Sequence, residues 1–505
     1  MRLASKHGEN NQQRAILKGD FTGGLNTSMS AEDIAENQLA DVLNMEVDHN
    51  SAKLRTVAGT IDILQTPEIC AAIHDLINGV ILVVKTDRQI YLADFDGHIS
   101  RNSIGKLTGR LYPKYAAWEN GVLIASGGQL QYFNGSRLVL INSPLADDVF
   151  VRAGRVVVTH GSTIRYSGVG DENNWREDSN VESASKFVEV GYKDGSSFVG
   201  VASLSNNILV IKSNKICYRV AEEFPRWSVV EVAKNIECNG RRSYCAVGDD
   251  VFVLGADAAH LIQQTYYGNV KPEDIAALVK SEIQKLPKDA PVKYVAPLSQ
   301  VWCIGLGGYV LIFDTLLKSW FKRRFNSEIL DVFSVGNDVF VVKPDRISKL
   351  DKETFKDNGE YMLWRFFAQR LVSHHDFLLK RSKVSVTPFN HEYYCGHINC
   401  GRVTLALPIP DTALKISGNN SPIFGNKTRI SQQGRRKSTI LPQLPDEEIF
   451  DSEQMIFENQ HKIFSPSTFI VESRNIFRSK YLDISGHGRG GGFEIHSIVL
   501  DIAEV

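Results

Sequence analysis

Four groups of residues have types and spacings that invite a chemical reading. His391, Cys395, His397 and Cys400 form an HxxxCxHxxC pattern. Zinc needs four such ligands converging tetrahedrally. In an extended segment Cys395 and His397 share one face and Cys400 takes the other, so the spacing favours ordinary strand and turn residues. Gly486, Gly488 and Gly491 spell GxGxxG, the phosphate-cradling fingerprint when a strand precedes and a helix follows. Here FEIHSIVLDI follows, a strand, so the glycines read as a hairpin turn. Asp94-Phe95-Asp96-Gly97 begins like a calcium loop, but position twelve is near Lys106 and not a glutamate; it reads as a turn between strands. His374-His375-Asp376 has no partner in sequence and reads as a polar loop. No GxSxG, HExxH or P-loop occurs, and no carboxylate spacing marks a glycosidase pair. The expectation is a protein without catalytic, cofactor or metal residues. One basic triplet, Arg435-Arg436-Lys437, sits in a polar stretch and is the only candidate contact site, for a phosphate or a headgroup.

The elements that would carry such residues are strands. Seven times a short apolar run is followed by a second strand-like run about ten residues on. The first runs are GVILVV at 79, GVLIAS at 121, GRVVVT at 154, NILVIK at 207, DVFVLG at 250, QVWCIG at 300 and DVFVVK at 338. The unit is seen most clearly at 198–220, where three apolar runs are divided by Asn206-Asn207 and Ser213-Asn214. The runs recur every 33 to 53 residues, near the ~40–50 residues of a propeller blade. The fold predicted is mainly β: a propeller of about seven small blades over 61–355, in preference to paired β-sandwiches. An added β-rich platform is expected from the two ends of the chain. Residues 1–18 read as a flexible arm, 19–60 as an N-terminal platform segment with a short helix starting at Ser30, and 356–505 as a C-terminal β-rich domain. Within the latter, 417–462 reads as a long polar loop. Lys271 to Leu286 reads as a helical insertion, with Pro272 near its start.

Composition narrows the partners. Lys plus Arg (57) balances Asp plus Glu (58), so no global basic field draws nucleic acid to the surface. The first residues lack the apolar core of a signal peptide, and no apolar run approaches the ~20 residues of a membrane helix. Seven dispersed cysteines read as reduced thiols.

Three parts of the chain, at its beginning, middle and end, carry a family resemblance. Gly19-Asp20-Phe21-Thr22-Gly23-Gly24-Leu25-Asn26, then Asn37 to Met45, then Leu54-Arg55 and Gly59, resemble the opening of tail nozzle (hub) proteins of short-tailed bacteriophages. Arg165-Tyr166-Ser167 with Trp175, 198–220 and 239–262 resemble the propeller core of that group, which includes packaged-DNA stabilisation and tail tubular proteins. FRSKYLDISGHG followed by FEIHSIVLDI resembles its closing strand pair. The resemblance implies a non-enzymatic virion protein assembled in the host cytoplasm. It implies a ring of typically six copies below the portal and adaptor, extending the DNA channel, carrying fibres or spikes, and holding the genome until ejection. Genomic double-stranded DNA would pass transiently, and the distal tip would face the host envelope, with 417–462 as a candidate gate or tip. The alternatives are a propeller binding module for a host glycan or a fibre partner, and a glycan-cleaving enzyme. The terminal segments 19–60 and 465–505 are expected to pack together.

Overall fold

The computed structural model describes residues 13–178, 181–205, 207–221, 227–264, 270–388, 394–407, 430–431, 437–442, 469–474 and 476–504. The chain forms two compact units. One comprises Thr60–Lys318 and Phe325–Leu350, the other Met1–Gly59, Ser319–Arg324 and Asp351–Val505.

The first unit is a seven-bladed β-propeller. All seven runs read from the sequence are second strands of a four-stranded sheet: Val80–Lys85, Gly121–Ala125, Arg155–His160, Ile208–Lys212, Asp250–Leu254, Gln300–Ile304 and Asp338–Val342. Each lies between two strands of its own sheet and between two neighbouring sheets. That position buries both of its faces, so it reads as a continuous apolar run and not as an alternation. The core is therefore radial, one layer between each pair of blades. Between blades 1 and 2 it holds Ile73, Leu82, Val84, Ile124 and Phe133. Between blades 3 and 4 it holds Val157, Ile164, Tyr166, Val210 and Val220. A buried Phe or Leu in such a layer contributes about 1.5–3 kcal/mol.

The ring closes with a strand from ahead of blade 1. Gly59–Gln65 is the fourth strand of the last sheet. Leu64 enters the layer formed by Ile69, Ile81, Phe340 and Ile347. Asp62 fastens the closure, accepting from Arg346 at 2.6 Å and from the Ser348 hydroxyl at 2.8 Å. Closure of this kind leaves no gap between first and last blades.

The second unit is built on one strand of 26 residues, Leu363–Pro388. Phe477–Gly490 and Phe469–Ser473 pair along it, as do Phe493–Glu504 and Asp41–Leu43. Gln13–Lys18 and Leu54–Thr56 then pair with Phe493–Glu504. The two ends of the chain thus share one sheet, as expected for the platform. Four register shifts along the long strand let it serve successive partners.

Several local expectations need correction. Residues 13–18 are not an arm but a strand in register with 498–503. No helix starts at Ser30: Ser30 and Asp33 make a turn, and Gln38–Leu39 and Asp41–Leu43 are short strands. Ile34, Leu39 and Val42 are buried all the same, which is why their spacing suggested a helical face. The segment 271–286 is a strand, Val270–Asp274, then turns and one helical turn, Lys280–Ile283; Pro272 lies in the edge strand, where no ladder N–H is needed. GxGxxG is mostly strand, the bend falls at Gly491-Gly492, and the flanking strands pair with Leu363–Pro388 instead of with each other. His374-His375-Asp376 lies within that long strand and not in a loop. Much of 417–462 is outside the described residues, but Lys437–Pro442 is a strand paired with Phe469–Ser473.

Candidate interaction site at the propeller axis

The first strand of each blade is the inner one. Neighbouring inner strands touch from blade 2 through blade 7 and from blade 7 back to blade 1. At one end of the axis these strands open with a polar residue: Lys114 in blade 2, Asp148 in blade 3, Tyr244 in blade 5, Asp331 in blade 7, with Lys293 second in blade 6. These residues lie at the same end of their inner strands, so the groups meet although they are far apart in sequence.

They meet as two clasps. Lys114 Nζ donates to Asp148 Oδ2 at 2.8 Å and to Tyr244 Oη at 2.6 Å. The Tyr244 hydroxyl donates to the same carboxylate oxygen at 2.9 Å. This triangle joins blades 2, 3 and 5. Tyr112 Oη donates to Asp331 Oδ2 at 2.6 Å, and Lys293 Nζ stands 3.3 Å from that oxygen. Beside the second clasp, His74 stacks on Phe333 at 5.0 Å and its Nδ1 is hydrogen-bonded to Tyr115 Oη at 2.7 Å. Side chains therefore cross the axis of the propeller.

The electrostatics follow from burial. Burial works against the Lys114 ammonium, but Asp148 and Tyr244 more than offset it, and its pKa is raised. Burial, aided by Asp148, pushes the Tyr244 phenol up to about 12. Burial first, then Asp331, keeps Tyr112 protonated as a donor. Burial, aided by Lys293 and opposed by Asp331, lowers His74 to about 4 from the ordinary 6.5. The unfolded chain therefore takes up this proton near pH 6.5, while the folded one resists until about pH 4. Stability falls as the pH drops through that window. His74→Asn, which keeps an acceptor for Tyr115 and loses the titration, is expected to flatten that part of a stability–pH curve. Urea melts at pH 7, 5.5 and 4.5 check it.

A second ionic lock holds the linker into blade 4. The Lys212 side chain is fully buried; its Nζ donates to both Asp194 carboxylate oxygens (2.7 and 2.8 Å) and to the Val190 carbonyl (2.7 Å). Burial opposes ionisation of Asp194, yet hydrogen bonds from Lys212 and Ser196 hold it down to about 2. Its contribution is present above the ordinary carboxylate range near 4 and is lost as pH falls toward 2. Lys212→Met is expected to expose this linker to proteolysis at 190–197, measurable by fragment mapping.

The site residues singled out in the sequence lie elsewhere. Arg435 and Arg436 fall outside the described residues, and Lys437 opens a short strand. His391 is also outside them, while His397 and Cys400 sit on opposite faces of one strand, exposed and buried respectively. Asp94 closes a tight turn, accepting from the N–H groups of Asp96 and His98. Among the described residues no group of three or more His, Cys, Asp or Glu is placed to hold a metal ion. Among them, too, no helix is long and apolar enough to cross a membrane. A hollow of about 260 Å³ between blades 2 and 3 is lined by Pro144, Leu145, Val158, His160, Thr163 and Arg165.

No family model and no curated protein matches the chain. Among solved structures, YCF48 from Cyanidioschyzon merolae is similar at 10% identity and a TM-score of 0.39, over 58% of this chain and 98% of that one. The WD40 β-propeller domain of Doa1 is similar at 12% identity and 0.39, over 58% and 95%. BamB from Moraxella catarrhalis is similar at 9% identity and 0.34, over 54% and 79%.

Proposed function

We propose that this chain is a non-catalytic structural protein of a phage tail, a nozzle or hub subunit that builds a ring around the DNA path. The observation that carries the reading is where the resembling residues lie. Asp41–Leu43 and Leu54–Thr56 of the N-terminal motif region share one sheet with closing strands more than 400 residues away, while Gly24–Leu25 and Gln38–Leu39 pair in a two-stranded sheet of their own. Gly24 has φ +60, and a Cβ there would meet Ser319 and Trp320 at 2.8 Å. Asn26 donates to Gln38 Oε1 at 2.8 Å. Asn44 accepts from the Arg324 N–H at 2.7 Å and donates to the Leu363 carbonyl at 2.7 Å. Arg55 bridges Glu46 and Asp48. These residues fix turns and join strands.

In this reading the DNA path runs along the axis of the assembled ring, since side chains cross the axis of the propeller itself. A near-neutral chain suits a conduit, because strong phosphate binding through counterion release would arrest transit. Portal–adaptor proteins lie above, fibres or spikes on the flank, and the segment containing Arg435 and Arg436 is the candidate tip or gate. Negative-stain imaging of the purified chain with its adaptor tests the reading: a closed ring, six-fold in expectation, supports it. A persistent monomer that binds a host glycan would replace it with the propeller binding module.

A further inference from the structure

Most cations at the axial end are matched by a carboxylate: Lys114 by Asp148, Lys293 by Asp331, Arg241 by Asp147. Two are not. Arg88 and Arg242 are both half-buried, and among the described residues neither guanidinium has a carboxylate within ion-pair distance. Among those residues their acceptors are carbonyls: Arg110 and Leu111 for Arg88 (3.2 and 3.3 Å), and Leu330 for Arg242 (2.6 Å). The Nε of each is buried without a partner. The two are neighbours. Arg88 holds the carbonyls of residues 110 and 111, and the Arg242 guanidinium lies 3.6 Å above the ring of the next residue, Tyr112. The Cys70 thiol lies within the field of both: burial raises its pKa, and Arg88 and Arg242 each pull it down.

Half-buried charge without a counter-charge is costly, and proteins ordinarily pair it. The backbone at Arg88 adds to this, for φ there is +71 at the last residue of the three-residue connection between Val80–Lys85 and Gln89–Ala93. Glycine would adopt that conformation freely; arginine is strained in it. Two neighbouring guanidinium forks with no paired carboxylate, one of them stacked on an aromatic ring, suit the recognition of a planar anion. The nearest acid in sequence, Asp87, has an oxygen occupied by the Gln89 N–H.

We propose that Arg88 and Arg242 form a carboxylate-binding site at the axial end of the propeller, which takes an aspartate or glutamate side chain from an acidic peptide segment of a partner protein. The guanidinium fork matches a planar carboxylate with two parallel N–H···O bonds. A nucleic acid is the weaker fit, because the chain as a whole, at net charge −1, supplies no field to draw a polyanion. Such a site does not depend on the nozzle reading and would serve a ring or a monomer.

The test uses the full chain, a tetraglutamate peptide and inorganic phosphate as separate probes, read by calorimetric titration and by the shift in thermal midpoint. Arg88→Gly is the informative variant, since glycine relieves the positive φ and the fold is expected to tolerate it; Arg242→Gln is the second. The peptide is expected to bind, with a salt-dependent affinity, and each variant to weaken it about tenfold or more, as loss of a charge-assisted pair does. Because each variant's midpoint shift is compared with its own unliganded midpoint, a change in basal stability does not confuse the result. Binding of phosphate without the peptide, no binding of either, or equal peptide binding by the double variant would each overturn the assignment.

Discussion

Asp148→Ala is expected to destabilise the propeller by about 3 kcal/mol, because it strands the Lys114 ammonium in a largely buried site. The loss has two parts. The ammonium loses its counter-charge, and the Tyr244 hydroxyl loses an acceptor at 2.9 Å. Replacing both partners by apolar residues of similar size, Lys114→Met with Asp148→Leu, is expected to recover most of the loss, since removing a buried pair is far cheaper than breaking one. Urea denaturation of the single and double variants measures the cycle. If Asp148→Ala costs no more than a surface substitution, about 0.5 kcal/mol, the clasp does not hold the inner strands together.

Trp364→Ala should be comparably damaging in the other unit, by about 3–5 kcal/mol. Trp364 is 1% exposed and meets Phe493 edge-to-face at 5.1 Å. Tyr394–Cys400, the next strand but one in the sheet, makes room for it with a glycine: a Cβ on Gly396 would lie 2.2 Å from Trp364 Cζ2. Gly396→Ala alone is therefore expected to disrupt the sheet by overpacking. In the Trp364→Ala background the same alanine should cost less, although a carbonyl of His487 at 2.8 Å keeps it from being free. Amide exchange across 363–367 and 394–400 reads the effect locally, without assuming that the two units unfold together.

The propeller was legible because its repeating unit leaves a mark on every blade. A strand buried on both faces must be apolar throughout, and seven such runs at blade spacing fit a radial array of small sheets far better than a pair of sandwiches. The short platform elements were not legible. Ile34, Leu39 and Val42 have helical spacing, but their burial comes from tertiary pairing: Gln38–Leu39 lies parallel to Gly24–Leu25, and Asp41–Leu43 pairs with a strand more than 300 residues away. Tertiary context overrides such local patterns routinely. The axial clasps were missed because Lys114, Asp148, Tyr244, Lys293 and Asp331 share no motif and lie in five blades. They share only a position, at or next to the start of an inner strand, and superposing the seven repeats on their second strands would have exposed it. Arg88 and Arg242 had no sequence signal of their own, for an unmatched cation is recognised only once its surroundings are known.

Closure of the ring by Gly59–Gln65 sets a schedule for synthesis. That strand leaves the ribosome before any blade, yet its partner sheet is complete only when 331–351 has been made. At ~5–20 residues per second, the strand waits on the order of fifteen to sixty seconds as an unpaired edge. Through that interval it is an aggregation hazard unless it carries its own protection. Asp62 supplies it, as the one charge in GTIDILQ, set between Ile61 and Ile63. The same carboxylate that later locks the last blade through Arg346 and Ser348 is thus the gatekeeper of the nascent chain.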